Sequence, residues 1–147
     1  MELSNYDLKM FEAAKLEAEK SDYKPFKLGC VITYKGHIIG RGQNSTKTHP
    51  DQKKYNRKYR HFNCERGEFV SDMLHAEISA ILNVPYTVGR DVDWGKVNVY
   101  VYRISHGRRL GFGNARPCPA CMAAIRDLGI KHVYYTDNSG YGYLELR

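Results

Sequence analysis

The sequence lacks any apolar run approaching the roughly 20 residues that a membrane-spanning helix needs, so no membrane partner is expected. Its first residues, Met1-Glu2-Leu3-Ser4-Asn5, also lack the basic and then apolar stretch of a secretory signal, and the expectation is a protein of the reducing cytoplasm. There the four cysteines are expected to be thiols, not bridges. No repeat, low-complexity tract or linker interrupts the 147 residues, which leaves one domain, 1–147, large enough to bury a core without staples. Acidic residues are in short supply: 16 stand against 23 Lys and Arg, a net charge of +7. Between Lys47 and Arg66, seven basic residues (Lys47, Lys53, Lys54, Arg57, Lys58, Arg60, Arg66) meet only Asp51 and Glu65, so most of the net charge traces to one segment. Such a patch concentrates anions, although a solvated loop kept soluble by its lysines has the same composition.

Local signals punctuate the chain. Ser4 with Asp7, flanked by Leu3 and Leu8, predicts a capping box with a hydrophobic staple. The helix it opens carries Tyr6, Met10, Ala13 and Ala14 on one face and ends near Ser21-Asp22. Lys27–Tyr34 and His37–Gly42 read as strands joined at Lys35-Gly36. Ser45–Val70, with Pro50 and few aliphatic residues, reads as a long irregular stretch. Leu74, Ile78, Ile81 and Leu82 mark a second helix that Val84-Pro85 stops. A turn-rich segment around Gly89 and Gly95 leads into a strand at Val97–Ile104, followed by a Gly/Arg-rich loop from Ser105 to Ala115. Pro119 suits the first position of a third helix, Ile125 and Leu128 face its core, and Gly129 ends it. His132–Thr136 is the next strand, and Gly140–Arg147 forms a short edge strand or frays. Strand, crossover helix and strand at the end imply a parallel pair added to an antiparallel hairpin, hence an α/β fold with a mixed sheet between helices.

Two short stretches carry chemistry: His75-Ala76-Glu77 and Pro117-Cys118-Pro119-Ala120-Cys121. Within a helix, residues two apart point about 200° from each other, so His75 and Glu77 serve one site only from a helix's first turn. Cys118 and Cys121, three apart, share one face of the next helix's opening turn, where the helix dipole favours thiolate. A catalytic Zn²⁺ takes three protein ligands and leaves a fourth position to water, whose pKa it lowers toward about 7. His75, Cys118 and Cys121 supply that count, and Glu77 remains as the acid/base. Two other readings use the same cysteines: a thiol redox pair, and a structural zinc, which normally takes a fourth protein ligand.

Other residues carry weaker signals. His49, His61 and Cys64 are candidates for a second metal, Cys30 is most simply a small core residue, and His37, His106 and His132 show no partner. Arg108, Arg109 and Arg116, with Lys54 and Arg57 of the basic segment, are candidate phosphate partners, since guanidinium pairs bidentately with phosphate. The same charges with Tyr55, Tyr59 and Phe62 as stacking platforms suit single-stranded nucleic acid, bound either as the substrate of an enzyme or by a non-enzymatic protein whose zinc is structural.

His75-Ala76-Glu77-Ile78-Ser79-Ala80-Ile81 together with Pro117-Cys118-Pro119-Ala120-Cys121 resembles the cytidine and deoxycytidylate deaminase superfamily of zinc-dependent nucleobase deaminases. Lys27-Leu28-Gly29-Cys30-Val31 and Gly40-Arg41-Gly42-Gln43-Asn44 look like that family's first hairpin, so the resemblance spans most of the chain. It implies a three-layer fold with a five-stranded mixed sheet and one catalytic zinc per chain. It further implies hydrolysis of a cytosine nucleotide or nucleoside to the uracil form with release of ammonia, in a homo-oligomer. It assigns substrate contacts to Asn44, to the backbone around Ala76 and to Arg116. Ser79 and Ser45 stand where deoxycytidylate deaminases commonly carry Asn and Gly, which leaves the substrate open among nucleoside, nucleotide and polynucleotide.

Overall fold

The computed structural model describes residues 2–59, 62–63, 68–69, 72–105 and 113–147. The chain enters α1 (Asn5–Glu19) through the expected capping box: the Asp7 N–H donates to Ser4 Oγ at 3.0 Å, and the Ser4 N–H donates to Asp7 Oδ2 at 3.1 Å. Each bond satisfies a backbone donor that the first turn cannot pair internally. The helix closes at Glu19, slightly earlier than Ser21-Asp22.

Strands β1 (Phe26–Tyr34) and β2 (His37–Gln43) form an antiparallel hairpin. Lys35 and Gly36, with φ of 49° and 83°, make the two-residue turn whose twist matches the strands. After it come β3 (Ser45–Thr48), α2 (Pro50–Tyr59), β4 (Phe62–Asn63), β5 (Glu68–Phe69) and β6 (Met73–Leu74). The remaining elements are α3 (Ala76–Leu82), α4 (Tyr86–Gly89), a 3₁₀ turn (Trp94–Lys96), β7 (Asn98–Ser105), α5 (Pro119–Leu128), β8 (His132–Thr136) and β9 (Tyr141–Glu145). The main sheet runs β2-β1-β7-β8-β9, with β7 and β8 parallel and the other pairs antiparallel. This is the mixed five-stranded sheet expected, and the last segment, left between strand and frayed end, is its edge strand β9.

Alternation along the strands separates two cores. Val31, Tyr100 and Tyr102 face α1 and pack on Phe11 and Ala14. Cys30, Ile32, Val99, Val101 and Val133 face the other way, onto Ala76 and Ala80 of α3 and Met122 and Ile125 of α5. The three layers follow directly. No helix among the described residues is long and apolar enough to cross a membrane.

The segment 45–70 departs from the irregular stretch expected. It holds a ten-residue helix, α2, and β3 pairs with β6 beside it. Apolar periodicity misses α2 because its buried positions are amides: Gln52 and Asn56, one turn apart, are 0% and 1% exposed. Pro50, a loop signal in the sequence, is the first residue of the helix, where its missing N–H costs nothing.

Glycine decides how closely α3 approaches the sheet. A Cβ at Gly42 of β2 would lie 2.3 Å from the Ala80 nitrogen and 2.6 Å from the Ser79 carbonyl carbon, both backbone atoms of α3. Gly42→Ala is therefore expected to push α3 off the sheet, costing about 1–3 kcal/mol as overpacking does. That corresponds to a fall in Tm of roughly 3–10 °C for a chain of this length. Gly89→Ala is the control, since its Cβ would meet nothing nearer than 3.4 Å. Thermal melts of the two variants check this, and equal Tm values would show that the contact at Gly42 is not tight.

Candidate active site

Residues 75–77 and 118–121 each open a helix. His75 is the N-cap of α3, in extended conformation (φ −86°, ψ 156°), and Glu77 sits in the first turn. Cys118 is the N-cap of α5, Pro119 follows at its first position, and Cys121 completes the first turn. The run leading to Cys118 is tied to the strand ends by Thr136, which is completely buried. Thr136 Oγ1 donates to the Gly113 carbonyl at 2.8 Å and accepts from the Arg103 N–H at 3.1 Å, while the Thr136 carbonyl accepts from the Ala115 N–H at 2.7 Å.

His75 Nδ1 lies 3.3 Å from Cys121 Sγ and 3.6 Å from Cys118 Sγ, and the three donor atoms all fall within 4.8 Å of one another. A tetrahedral zinc with Zn–S of about 2.3 Å and Zn–N of about 2.05 Å requires N···S edges of about 3.6 Å, so the donor set fits that ion in both chemistry and span. Among the described residues no further His, Cys, Asp or Glu joins the group, and three protein ligands are the count of a catalytic zinc site.

Electrostatics separates the roles. Hydrogen bonds with Cys121 and His75 draw the Cys118 thiol down to about 4 against the upward push of its burial. Part of this is helix capping, since the Cys121 N–H donates to Cys118 Sγ at 3.5 Å. Glu77 is 4% exposed, and that burial pushes its carboxyl up to about 7, with the charge of His75 opposing. Its carboxylate stands outside the metal-ligating group. Cys30 is a fully buried core residue whose thiol burial raises, with the charge on Glu77 adding to the effect.

The other sequence candidates fall in several places. Ala76 is the buried first residue of α3. Arg116 is exposed two residues before Cys118, its N–H donating to Asn114 Oδ1 at 3.0 Å. Asn44 is buried and spans to β1, Oδ1 accepting from the Leu28 N–H at 2.9 Å and Nδ2 donating to the Phe26 carbonyl at 3.2 Å. These bonds use one of the two Nδ2 hydrogens and one of the two Oδ1 lone pairs. Asn44 also lines a cavity of about 320 Å³ with Ser79 and Leu74, the latter adjoining His75, and with Lys20, Lys47 and Asp22.

Lys54 and Arg57 are not among the residues that line this cavity. Both are exposed on α2, and at 100° per residue Lys54 points away from the face that carries Gln52 and Asn56. Tyr55 is no exposed stacking platform: its hydroxyl donates to Asp127 Oδ2 at 2.7 Å, and its ring packs with Ile78, Cys121 and Ala124. His49 caps α2, its Nδ1 accepting from the Asp51 N–H at 3.1 Å, and no second metal cluster appears among the described residues. His132 has a partner after all, Tyr143 Oη at 2.7 Å from its Nδ1. Arg108, Arg109, His61, Cys64 and His106 lie outside the described residues, as does the side chain of Phe62.

Sequence reading missed Thr136 and Gln52. Thr136 carries no local signal. Gln52, whose Oε1 accepts from the His75 N–H at 2.9 Å, is detectable only as half of an i,i+4 amide pair behind a helix-opening proline.

Known structures share the fold. A deoxycytidylate (dCMP) deaminase from cyanophage S-TIM5, in complex with dCMP and dUMP, aligns over 93% of this chain and 85% of its own at 20% identity, with a TM-score of 0.55. Cytidine deaminases from Burkholderia pseudomallei (20% identity, 97% and 93% covered, TM-score 0.59) and Mycobacterium leprae (19%, 96% and 94%, TM-score 0.53) align likewise. No curated protein sequence matches the chain. The sequence model of the cytidine and deoxycytidylate deaminase zinc-binding region matches residues 4–137, a span that contains both helix openings and the strands that hold them. With that match over nearly its whole length, the chain belongs to the cytidine and deoxycytidylate deaminase zinc-binding family.

Proposed function

We propose that the protein is a zinc-dependent hydrolytic deaminase that converts a cytosine nucleotide or nucleoside, of the deoxycytidylate type, to its uracil form and releases ammonia. One observation carries this reading: His75 Nδ1, Cys118 Sγ and Cys121 Sγ converge while a buried carboxylate, Glu77, stands beside them and outside their group. A zinc ion on those three atoms supplies the acidity that turns water into a nucleophile at neutral pH. The chain's own residues do the rest. Glu77 takes a proton from the attacking water and delivers it to the ring nitrogen next to the amino-bearing carbon. When the carbon–nitrogen bond breaks, the hydroxyl just added to that carbon gives up its proton through Glu77 to the departing amine, which leaves with the bonding pair as ammonia while the carbonyl forms. A carboxylate bound to the metal would lose this mobility, so the separate place of Glu77 matters.

The cavity beside Leu74 and Ser79 supports a small substrate, being within the usual size range of ligand pockets at about 320 Å³. Lys20 and Lys47 on its wall favour an anion, with the Lys20 ammonium also held by Glu17 at 2.9 Å and Asp22 opposing. Arg116 and the backbone at Ala76 are proposed to meet the base, and Asn44 the sugar side, through the amide capacity that β1 leaves open. The phage deaminase with dCMP and dUMP, alike in fold, points to a nucleotide monophosphate as the first substrate to test. A polynucleotide has less support, since the half-buried Tyr55 ring packs on Ile78, Cys121 and Ala124.

Two measurements check the reading. Glu77→Gln is expected to retain about one zinc per chain and lose about 10²–10⁴-fold in kcat, whereas Cys118→Ala loses both metal and turnover. Metal analysis beside steady-state rates shows this, and normal activity in Glu77→Gln would end the mechanism. For the substrate, ammonia release is measured with cytidine, deoxycytidine, their mono- and triphosphates, guanine, adenosine and single-stranded oligonucleotides. Turnover is expected with a free cytosine nucleotide or nucleoside. Turnover of oligonucleotides alone would replace the substrate assignment and leave the chemistry standing.

A further inference from the structure

As N-cap of α3, His75 occupies a position whose side chain ordinarily bonds the helix's first N–H groups, but its imidazole is turned to the two thiols and makes no such bond. Its own N–H is one of the donors that the intrahelical ladder does not serve. In a capping box, Glu or Gln at the third helical position meets that donor; here the position is Ile78, which has no acceptor. The acceptor comes from another helix. Gln52 of α2 places Oε1 2.9 Å from the His75 nitrogen.

Gln52 is held in turn. Its Nε2 donates to Asn56 Oδ1 at 3.0 Å, and Asn56 Nδ2 donates to Asp72 Oδ1 at 3.1 Å. An ionised carboxylate only accepts, so Asp72 obliges Asn56 to turn its NH₂ outward and its oxygen toward Gln52. Gln52 must then present its NH₂ to Asn56 and its oxygen to His75. The direction of the bonds is thus set at both ends, by a carboxylate that accepts and by the His75 N–H, which can only donate. Both ends also fall on one short segment, since Asp72 precedes β6 and His75 follows it. Two fully buried amides of α2 therefore grip β6 on either side and fix where His75 starts α3.

We propose that Gln52 is a positioning residue for His75, and that the Asp72–Asn56–Gln52 chain sets the direction in which Nδ1 meets Cys118 and Cys121. The inference rests on the zinc reading above. Partners that orient a ligand typically change metal affinity 10–100-fold when removed, and that is the range expected here.

The test uses the full-length apoprotein titrated with Co²⁺, followed by its thiolate charge-transfer and d–d bands. Zn²⁺ affinity is measured by competition with a chromophoric chelator, and Tm is taken for each apo form. Gln52→Met, of similar length and without either polar end, is expected to weaken metal binding about 10–100-fold and shift the d–d bands. Tyr55→Phe removes the bond from α2 to Asp127 without touching the amide chain. It is expected to lower Tm while leaving affinity and bands at wild-type values. Gln52→Met indistinguishable from wild type in affinity and bands overturns the proposal, as does Tyr55→Phe weakening the metal equally. If Gln52→Met does not fold, Asn56→Ala decides: it keeps the acceptor but releases its orientation, and wild-type affinity in that variant overturns the proposal. Wild-type protein that shows no cobalt–thiolate band removes the zinc reading and the clamp with it, whereas normal uptake beside an unaffected Gln52→Met removes the clamp alone.

Discussion

Two helix N-termini meet at one point, and much of the structure serves to hold them there. The parallel pair β7–β8, joined through α5, brings the start of that helix to the ends of the strands. Hydrogen bonds at Thr136 hold the approach to Cys118, and glycine at position 42 lets α3 close on β2 from the other side. Each requirement can be traced to a short distance between backbones. A sheet of the same order with bulkier residues on β2 would retain its topology and lose the convergence.

The proposed use of N-cap side chains as ligands raises a difficulty at both helices. An N-cap residue ordinarily gives its side chain to the first turn, which is why Ser, Thr, Asp and Asn predominate there. In α5 the conflict resolves itself, since Cys118 Sγ accepts from the Cys121 N–H while still facing His75. That bond stabilises the negative sulfur and so serves the cap and the ligand together. In α3 the imidazole has no such reach to its own turn, and the burden passes to Gln52.

This division explains what the sequence disclosed. α1, the hairpin, α3, β7, α5 and β8 were legible because their apolar residues repeat at the helical or strand period and their ends carry Ser4, Lys35-Gly36, Pro119 and Gly129. The pairing of His75 with Cys118 and Cys121 was legible through the resemblance of their two stretches to zinc-dependent deaminases, and helix geometry added only that His75 and Glu77 must stand at a helix start. α2 was hidden because its interior face is polar, so a search for apolar periodicity finds nothing there. Its charges, visible in the sequence, lie mainly on the outward face, whereas the uncharged Gln52 of the same helix touches the site. Lys47, which lies on β3 before this helix, does line the cavity. Asn44 was legible as a strand-ending polar residue, but its hold on the backbone of β1 depends on the hairpin register, which spacing alone does not give.

The proposed roles of His75 as ligand and Glu77 as proton carrier depend on where the helix begins. Two residues inside a helix diverge by about 200°, and on that count His75 and Glu77 would face opposite sides. His75, however, precedes the helix and has extended backbone angles, so the helical rotation starts only after it. Its ring is thereby free to swing over the N-terminus toward the thiols, while Glu77, already inside the turn, is carried against the sheet and buried near Cys30. There the carboxylate is removed from water yet borders the metal-binding atoms. Starting α3 one residue earlier would apply the helical rotation to His75 as well and place ligand and base on opposite faces, so the site depends on the helix boundary as much as on the two side chains.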